Sequence, residues 1–175
     1  MSRKRQGRRE ERPAAPVVSA APAPADPWVG RAAAGARLLI GLVLLVSGLE
    51  KSALPPEEFA AVIQGYFILP PGTELTAAML LPGLEVLVGL SLLAGYLSRA
   101  ACAAAGALLL VFIAALGSTV ARGIPLPDCG CFGRTLHLSV PQALGLDSAL
   151  LCLSYFAYRR GADLSLLDDW VSRGS

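Results

Sequence analysis

Four long runs of apolar residues divide the chain, and each is bounded by charged residues, proline or glycine. The runs cover Ala32 to Leu49, Leu75 to Leu97, Ala100 to Ala121 and Val140 to Tyr158. At ~1.5 Å per residue, each run with its flanks is long enough for a helix that crosses a ~30 Å hydrocarbon layer. The pattern predicts an all-α fold, a polytopic membrane four-helix bundle.

A shorter apolar pattern, in residues 54–70, predicts an additional helix between the first two spans. Pro55 and Pro56 end the first span, and Glu57 and Glu58 suit the first turn of a new helix. The apolar stripe recurs at helical spacing: Phe59, Val62, Ile63, Tyr66 and Phe67. Since this helix is too short to span, we expect it to lie in the membrane interface.

The two ends of the chain differ from this central region. Residues 1–30 begin with a basic run and continue as an Ala/Pro-rich stretch that has little to bury, so we expect a disordered cytoplasmic tail. A cleaved signal peptide is the alternative, but the first apolar run ends in Glu50-Lys51, a poor cleavage context. The membrane domain is therefore predicted over 31–160, followed by a short cytoplasmic tail over 161–175.

Lysine and arginine residues beside the spans predict the orientation, because positive charge favours the cytoplasmic side. One side carries the N-terminal basic run together with Arg31, Arg37, Arg99, Arg159 and Arg160. The other side carries Lys51, Arg122 and Arg134. Both termini are predicted to be cytoplasmic and the loop 122–139 periplasmic, in a bacterial inner membrane. Within the first span, Arg37 is expected to extend towards the lipid headgroups.

Composition supports the membrane assignment and narrows the chemistry. Hydrophobic residues make up 54% and charged residues 16% of the chain, against about 45–50% and ~25% in soluble domains. The lipid bilayer is thus an expected partner, and we expect no nucleic acid. One histidine makes a histidine-based metal or catalytic cluster improbable, and four cysteines are too few and scattered for a disulfide-stapled scaffold.

The loop between spans three and four contains Cys129-Gly130-Cys131. Two α-carbons two residues apart lie at ~5.5–7 Å, within or at the edge of disulfide range. The small ring would be strained, which raises the reduction potential, so an exchangeable redox pair is the leading interpretation. A structural staple is an alternative, although so small a loop removes little chain entropy. Metal binding with Asp128 and His137 is a further alternative with unusual spacing, and no metal is predicted.

Ionisable residues inside the spans are costly and call for an explanation. Glu85 and Asp147 lie within spans, and Glu50-Lys51 ends the first one. Lys51, Glu85 and Asp147 are predicted to form a polar membrane cluster, in which Lys51 pairs with one of the carboxylates. The cluster is either a structural clasp or a pocket that moves protons or receives a small redox molecule, such as a membrane quinone.

The remaining cysteines, Cys102 and Cys152, lie amid Ala and Leu in spans three and four, and are interpreted as small hydrophobes.

In the order of its motifs, the chain resembles the MauE family, within the DoxX-like four-helix membrane proteins. The motifs are Ser47-Gly-Leu-Glu-Lys51, Tyr66-Phe-Ile-Leu-Pro70, Leu81-Pro-Gly-Leu-Glu85 and Asp128-Cys-Gly-Cys-Phe-Gly133. The resemblance implies a role in methylamine utilisation, in maturation or export of the disulfide-rich small subunit of methylamine dehydrogenase. It also implies a periplasmic thioredoxin-like partner, and it makes Cys129 and Cys131 the redox pair.

Three functions are compatible with these features. The first is a membrane component of thiol–disulfide exchange that supports maturation of a periplasmic redox enzyme. The second is a non-catalytic scaffold that recruits such an enzyme. The third, a small-molecule or ion carrier, is less favoured because the sequence shows no inverted repeat.

Overall fold

A computed structural model describes residues 27–124 and 138–160, and all regular elements within these ranges are α-helices. They are α1 (Pro27–Ser52), α2 (Pro56–Gly65), α3 (Glu74–Ala94), α4 (Ser98–Ala121) and α5 (Val140–Arg160). The helices α1, α3, α4 and α5 are long and apolar enough to cross a membrane. The predicted all-α architecture of four spans with a short helix after the first is confirmed.

The four long helices alternate in direction around a shared apolar core. Each packs on two neighbours: α1 lies against α3 and α5, and α4 lies against α3 and α5. Large side chains with almost no exposure fill the centre: Ile40, Leu44, Leu92, Leu109 and Leu150. Burial of these side chains holds the bundle together wherever the helices face one another.

The outward faces of the bundle are also apolar, unlike those of a soluble protein. Leu80, Leu87 and Leu110 are each more than half exposed. So continuous an apolar surface indicates contact with lipid, because its exposure to water would be energetically unfavourable.

Several helix ends differ by one to five residues from the predicted boundaries, and two of them have a clear local cause. α1 begins at Pro27, before Ala32 and inside the tail predicted for 1–30, because proline fits the first turn of a helix. α3 ends at Ala94, short of Leu97, because Gly95 adopts a left-handed conformation with φ 72°. The rest of the predicted tails, residues 1–26 and 161–175, lies outside the described residues.

Helix α2 packs beside the first half of α3. Its Phe59 and Ile63 are buried against Ala78. The predicted stripe continues too far, however: Phe67 follows the end of the helix, with φ 49° and 70% exposure. Including Phe67 in the stripe was wrong, because the helix ends at Gly65 and the chain turns before Phe67.

Arg37 is another departure from expectation. Its side chain is 6% exposed, and Nη1 donates a hydrogen bond to Ser98 Oγ at 3.0 Å. The short connection between α3 and α4 brings Ser98 to α1, so Arg37 binds protein rather than extending to headgroups. We call this end of the bundle, with Arg31, Arg37, Arg99, Arg159 and Arg160, the arginine end, and the opposite end the loop end.

Helices α1 and α3 approach each other closely at Gly89. A Cβ there would lie 2.8 Å from the backbone N of Leu45 and 2.9 Å from the carbonyl O of Gly41. Small residues allow such backbone proximity between membrane helices, where van der Waals packing drives association.

We therefore expect Gly89→Ala to lower the free energy of unfolding by about 1–3 kcal/mol, because the helices must move apart. Unfolding measured in bicelles by steric trapping would test this. The matched control is Gly83→Ala on the same helix, where an added Cβ meets nothing within 4 Å. Equal stability of the two variants would contradict the proposed close approach.

Candidate functional site

The most prominent polar feature among the described residues is an ion pair between α1 and α3. Lys51 Nζ lies 2.7 Å from Glu85 Oε1 and 2.9 Å from Oε2. Ser47 Oγ accepts a hydrogen bond from Lys51 at 2.7 Å and donates one to Glu85 Oε2 at 3.0 Å. Three acceptor atoms thus surround the ammonium, which satisfies its three N–H groups.

Local sequence explains how these groups meet. Ser47 lies four residues before Lys51, so both side chains project from one face of α1. Gly48 faces α3 at the same level, and a Cβ there would come within 2.9 Å of Glu85 Cβ. The absent side chain lets α1 approach α3 closely enough for a direct ion pair.

The ion pair is deeply buried. Lys51 is 5% exposed and Glu85 0%. Glu85 lies about three turns along α3 from Glu74, roughly 16 Å at ~1.5 Å per residue. Charges buried in so apolar a place are costly, and the mutual attraction with added hydrogen bonds offsets much of that cost.

Aromatic rings complete the enclosure of Lys51. Nζ lies 5.7 Å from the ring centre of Phe59 on α2 and 5.1 Å from that of Phe112 on α4. Both distances suit cation–π attraction. Helix α2 therefore covers the charge, which explains how a lysine at the end of α1 becomes buried.

Asp147, on α5, lies at the same level of the bundle but makes no ion pair within 4.0 Å among the described residues. It is 8% exposed, and its Oδ2 has no hydrogen-bond partner in the described parts of the chain. Asp147 and Lys51 line one cavity of about 380 Å³. The structure thus pairs Lys51 with Glu85 and leaves Asp147 on the cavity wall.

The cavity is almost entirely apolar apart from Ser47, Lys51, Asp147 and the phenol group of Tyr66. Side chains from all five helices line it, among them Phe59, Ile63, Leu84, Phe112 and Leu150. The segment after α2 closes its loop end with Tyr66, Ile68 and Leu69. The space is thus an apolar chamber with one polar wall.

Arg122, at the end of α4, holds this closing segment in place. Its Nη1 donates to the carbonyl O of Phe67 at 3.0 Å, and its Nη2 donates to that of Tyr66. Tyr66 also packs, together with Leu138, against the buried Leu116 and Ala143. Arg122 and Leu138, which flank segment 125–137, therefore both lie beside Tyr66, and Tyr66 is part of the cavity wall.

The comparison with known proteins identifies the family. A family model described as methylamine utilisation protein MauE matches residues 29–159. The chain belongs to the MauE family. This confirms the predicted resemblance, and the matched range of this MauE-family protein includes Lys51, Glu85, Asp147 and both loop cysteines.

Two curated MauE proteins are similar to the chain. The methylamine utilization protein MauE of Paracoccus denitrificans is 35% identical over 125 residues, which cover 71% of this chain and 67% of that protein. The MauE protein of Methylophilus methylotrophus is 35% identical over 104 residues, covering 59% of this chain and 54% of that protein. No solved structure matches.

The cysteines divide into two groups. Cys129 and Cys131 lie outside the described residues, as do Asp128 and His137, so their predicted roles stay predictions. Cys102 and Cys152 are free thiols, the first buried and the second exposed on α5. Within 27–124 and 138–160, no group of three His, Cys, Asp or Glu side chains is arranged to hold a metal ion.

The sequence did not identify three residues as parts of the site. Ser47 was recognised only as part of a motif, although its four-residue spacing from Lys51 was a usable signal. Phe59 and Arg122 gave no such signal, because their contacts with Lys51 and with Tyr66 join separate helices.

We expect a strong energetic coupling between Lys51 and Glu85. Lys51→Met or Glu85→Met alone should lower the free energy of unfolding by about 3–5 kcal/mol, because each leaves an uncompensated buried charge. The double variant Lys51→Met/Glu85→Met should lose much less than the sum, since both charges are gone. Unfolding in bicelles measures all three, and Glu57→Gln on the exposed face of α2 is the control. Additive losses would contradict the coupling.

Proposed function

We propose that this MauE-family membrane protein carries out thiol–disulfide exchange through Cys129 and Cys131, on the periplasmic side of a bacterial inner membrane. This proposal rests on the Cys-Gly-Cys sequence, which lies inside the matched family range, in the segment that joins spans α4 and α5. A thiol pair outside the cytoplasm is in an oxidising environment, where disulfides form and persist.

The exchange conserves electrons and protons. A thiolate of a partner attacks one sulfur of a Cys129–Cys131 disulfide and forms a mixed disulfide, and the partner's second thiol then resolves it. The partner leaves oxidised, and both loop cysteines are left as thiols with two electrons and two protons gained. The same steps run backwards if the loop delivers reductant.

The surroundings of the segment support a working site at the loop end. Arg122 and Leu138, which flank the segment, both meet the neighbourhood of Tyr66. Tyr66 in turn lines the cavity that contains Lys51 and Asp147. Because both flanks of the Cys-Gly-Cys segment lie beside an apolar cavity with a polar wall, electron transfer through that cavity is favoured over a purely structural disulfide.

The names of the relatives supply the pathway. Both curated proteins are methylamine utilization proteins. We assign this chain to the same process, with a periplasmic thioredoxin-like protein as exchange partner. The protein whose maturation this chain supports is, in this proposal, the disulfide-rich small subunit of methylamine dehydrogenase, which we call the client subunit.

The orientation is tested by labelling introduced cysteines. In a background without the native cysteines, Gln142→Cys lies at the loop end of α5 and Arg160→Cys at the arginine end. A membrane-impermeant maleimide added to spheroplasts should label the first and spare the second, because positive charge keeps the arginine end inside. Both sites should react after lysis, and labelling of Arg160→Cys alone before lysis would reverse the topology.

The exchange role is tested by Cys129→Ser/Cys131→Ser in a methylamine-using host. We expect the disulfide-bonded client subunit to fall to the level of a strain lacking the protein, while the variant accumulates normally in the membrane. The matched control is Cys102→Ala/Cys152→Ala, which removes the two cysteines of the spans. Full client maturation in the loop variant would favour a non-catalytic scaffold instead.

The redox state of the pair gives a direct readout. Rapid acid quenching, alkylation and mass spectrometry should find a mixture of disulfide and dithiol that shifts when the thioredoxin-like partner is deleted. A pair that stays fully reduced, or fully oxidised, in every such strain would exclude exchange.

A further inference from the structure

We infer that the cavity beside Asp147 binds the ring of a lipid-soluble quinone, and holds its reduced form, the quinol, more tightly. Binding is argued from the cavity alone. The role of this ligand as electron carrier for the loop cysteines rests on the proposed function.

The size and lining of the cavity fit a ligand that arrives from the bilayer. Its volume of about 380 Å³ falls within the ~300–1,000 Å³ typical of small-molecule sites. Its walls are apolar except at Ser47, Lys51, Asp147 and Tyr66, and the bundle around it is apolar on its outer faces. A lipid-soluble molecule reaches such a place with little desolvation cost.

Asp147 determines what the ligand must offer. Its buried Oδ2 has no hydrogen-bond partner among the described residues, and an unsatisfied buried acceptor is costly. Lys51 does not relieve it, because its three N–H groups are directed at Ser47 Oγ and the two oxygens of Glu85. The cavity therefore favours a ligand that brings its own hydrogen-bond donor.

The aromatic lining favours a flat ring. Phe59 and Phe112 lie on the cavity wall on different helices, and aromatic groups pack well against planar ligands. A lipid acyl chain would fill the apolar space but would leave Asp147 without a donor. A quinol combines a planar ring, an apolar tail and a hydroxyl group that donates to Oδ2.

The electron balance with the loop is complete. Oxidation of the Cys129 and Cys131 thiols to a disulfide releases two electrons and two protons. A quinone takes up the two electrons and the two protons to become the quinol, and one of the two new hydroxyl groups donates a hydrogen bond to Asp147 Oδ2. The quinone form lacks this hydroxyl donor, so the site binds the quinol, which is the product of the electron transfer, more tightly.

Binding is measured on the full-length Cys129→Ser/Cys131→Ser variant in phosphatidylcholine nanodiscs, so that loop redox chemistry does not interfere. The probes are decylubiquinol and decylubiquinone, assayed by equilibrium dialysis against nanodiscs without protein. We expect saturable binding of both, with the quinol bound about tenfold more tightly, as one hydrogen bond to a charged group implies. Absence of saturable binding above the empty nanodiscs overturns the inference.

Two further variants localise the site. Asp147→Leu should abolish the preference for quinol, because the acceptor is gone. Ala115→Leu, which fills part of the cavity, should weaken binding of both probes. Its matched control is Ala114→Leu on the exposed face of the same helix, which should bind as the parent does.

The results also separate this inference from the exchange function. The quinone site is overturned if Asp147→Leu and Ala115→Leu both bind the probes as the parent does. It is also overturned if a lipid co-purifies in the cavity and neither probe displaces it. Acid-quench redox data on the native cysteines then decide the exchange function independently. A redox-inert loop with intact quinol binding removes the carrier role and leaves the site.

Discussion

Much of this molecule is organised around one buried lysine. Lys51 bonds to Glu85 and Ser47 at distances of 2.7–2.9 Å, inside a bundle whose core is largely apolar. An unpaired charge at this depth would be strongly destabilising, so the pair fixes the register of α1 against α3. Gly48 is required for the contact, and α2 must fold back so that Phe59 covers the ammonium. Helix α2, which connects the first two spans, therefore also shields the buried charge of Lys51.

The same arrangement leaves the two ends of the bundle unlike each other. At the arginine end, Arg37 is tied to Ser98 by a hydrogen bond. Towards the loop end, α2 and its following segment roof an apolar cavity with Asp147 on its wall. Lys51 and Asp147, which line this cavity, thus lie on the opposite side of the interior from Arg37 and Ser98. The redox role that we propose rests on the loop cysteines and on this cavity, and family membership supports methylamine utilisation.

The positions that matter for chemistry act through different physical constraints. Lys51 and Glu85 satisfy each other, which suits a structural clasp with a fixed geometry. Asp147 is buried beside them with an acceptor oxygen still open among the described contacts, which suits a ligand-binding group. The structural clasp and the inferred ligand pocket therefore fall on different residues of the predicted polar cluster.

The sequence by itself determined the number of spans, the short helix after the first, and the family. These depend on hydrophobic length and local motifs, which are properties of neighbouring residues. It also singled out Lys51, Glu85 and Asp147, because charges inside apolar runs are visible without a structure. Only the tertiary structure decided that Glu85 rather than Asp147 pairs with Lys51, that Arg37 is buried against Ser98, and that Phe67 faces away from the core. Those outcomes depend on how closely two helices approach and where a turn places a side chain, and neither is encoded in the spacing along one helix.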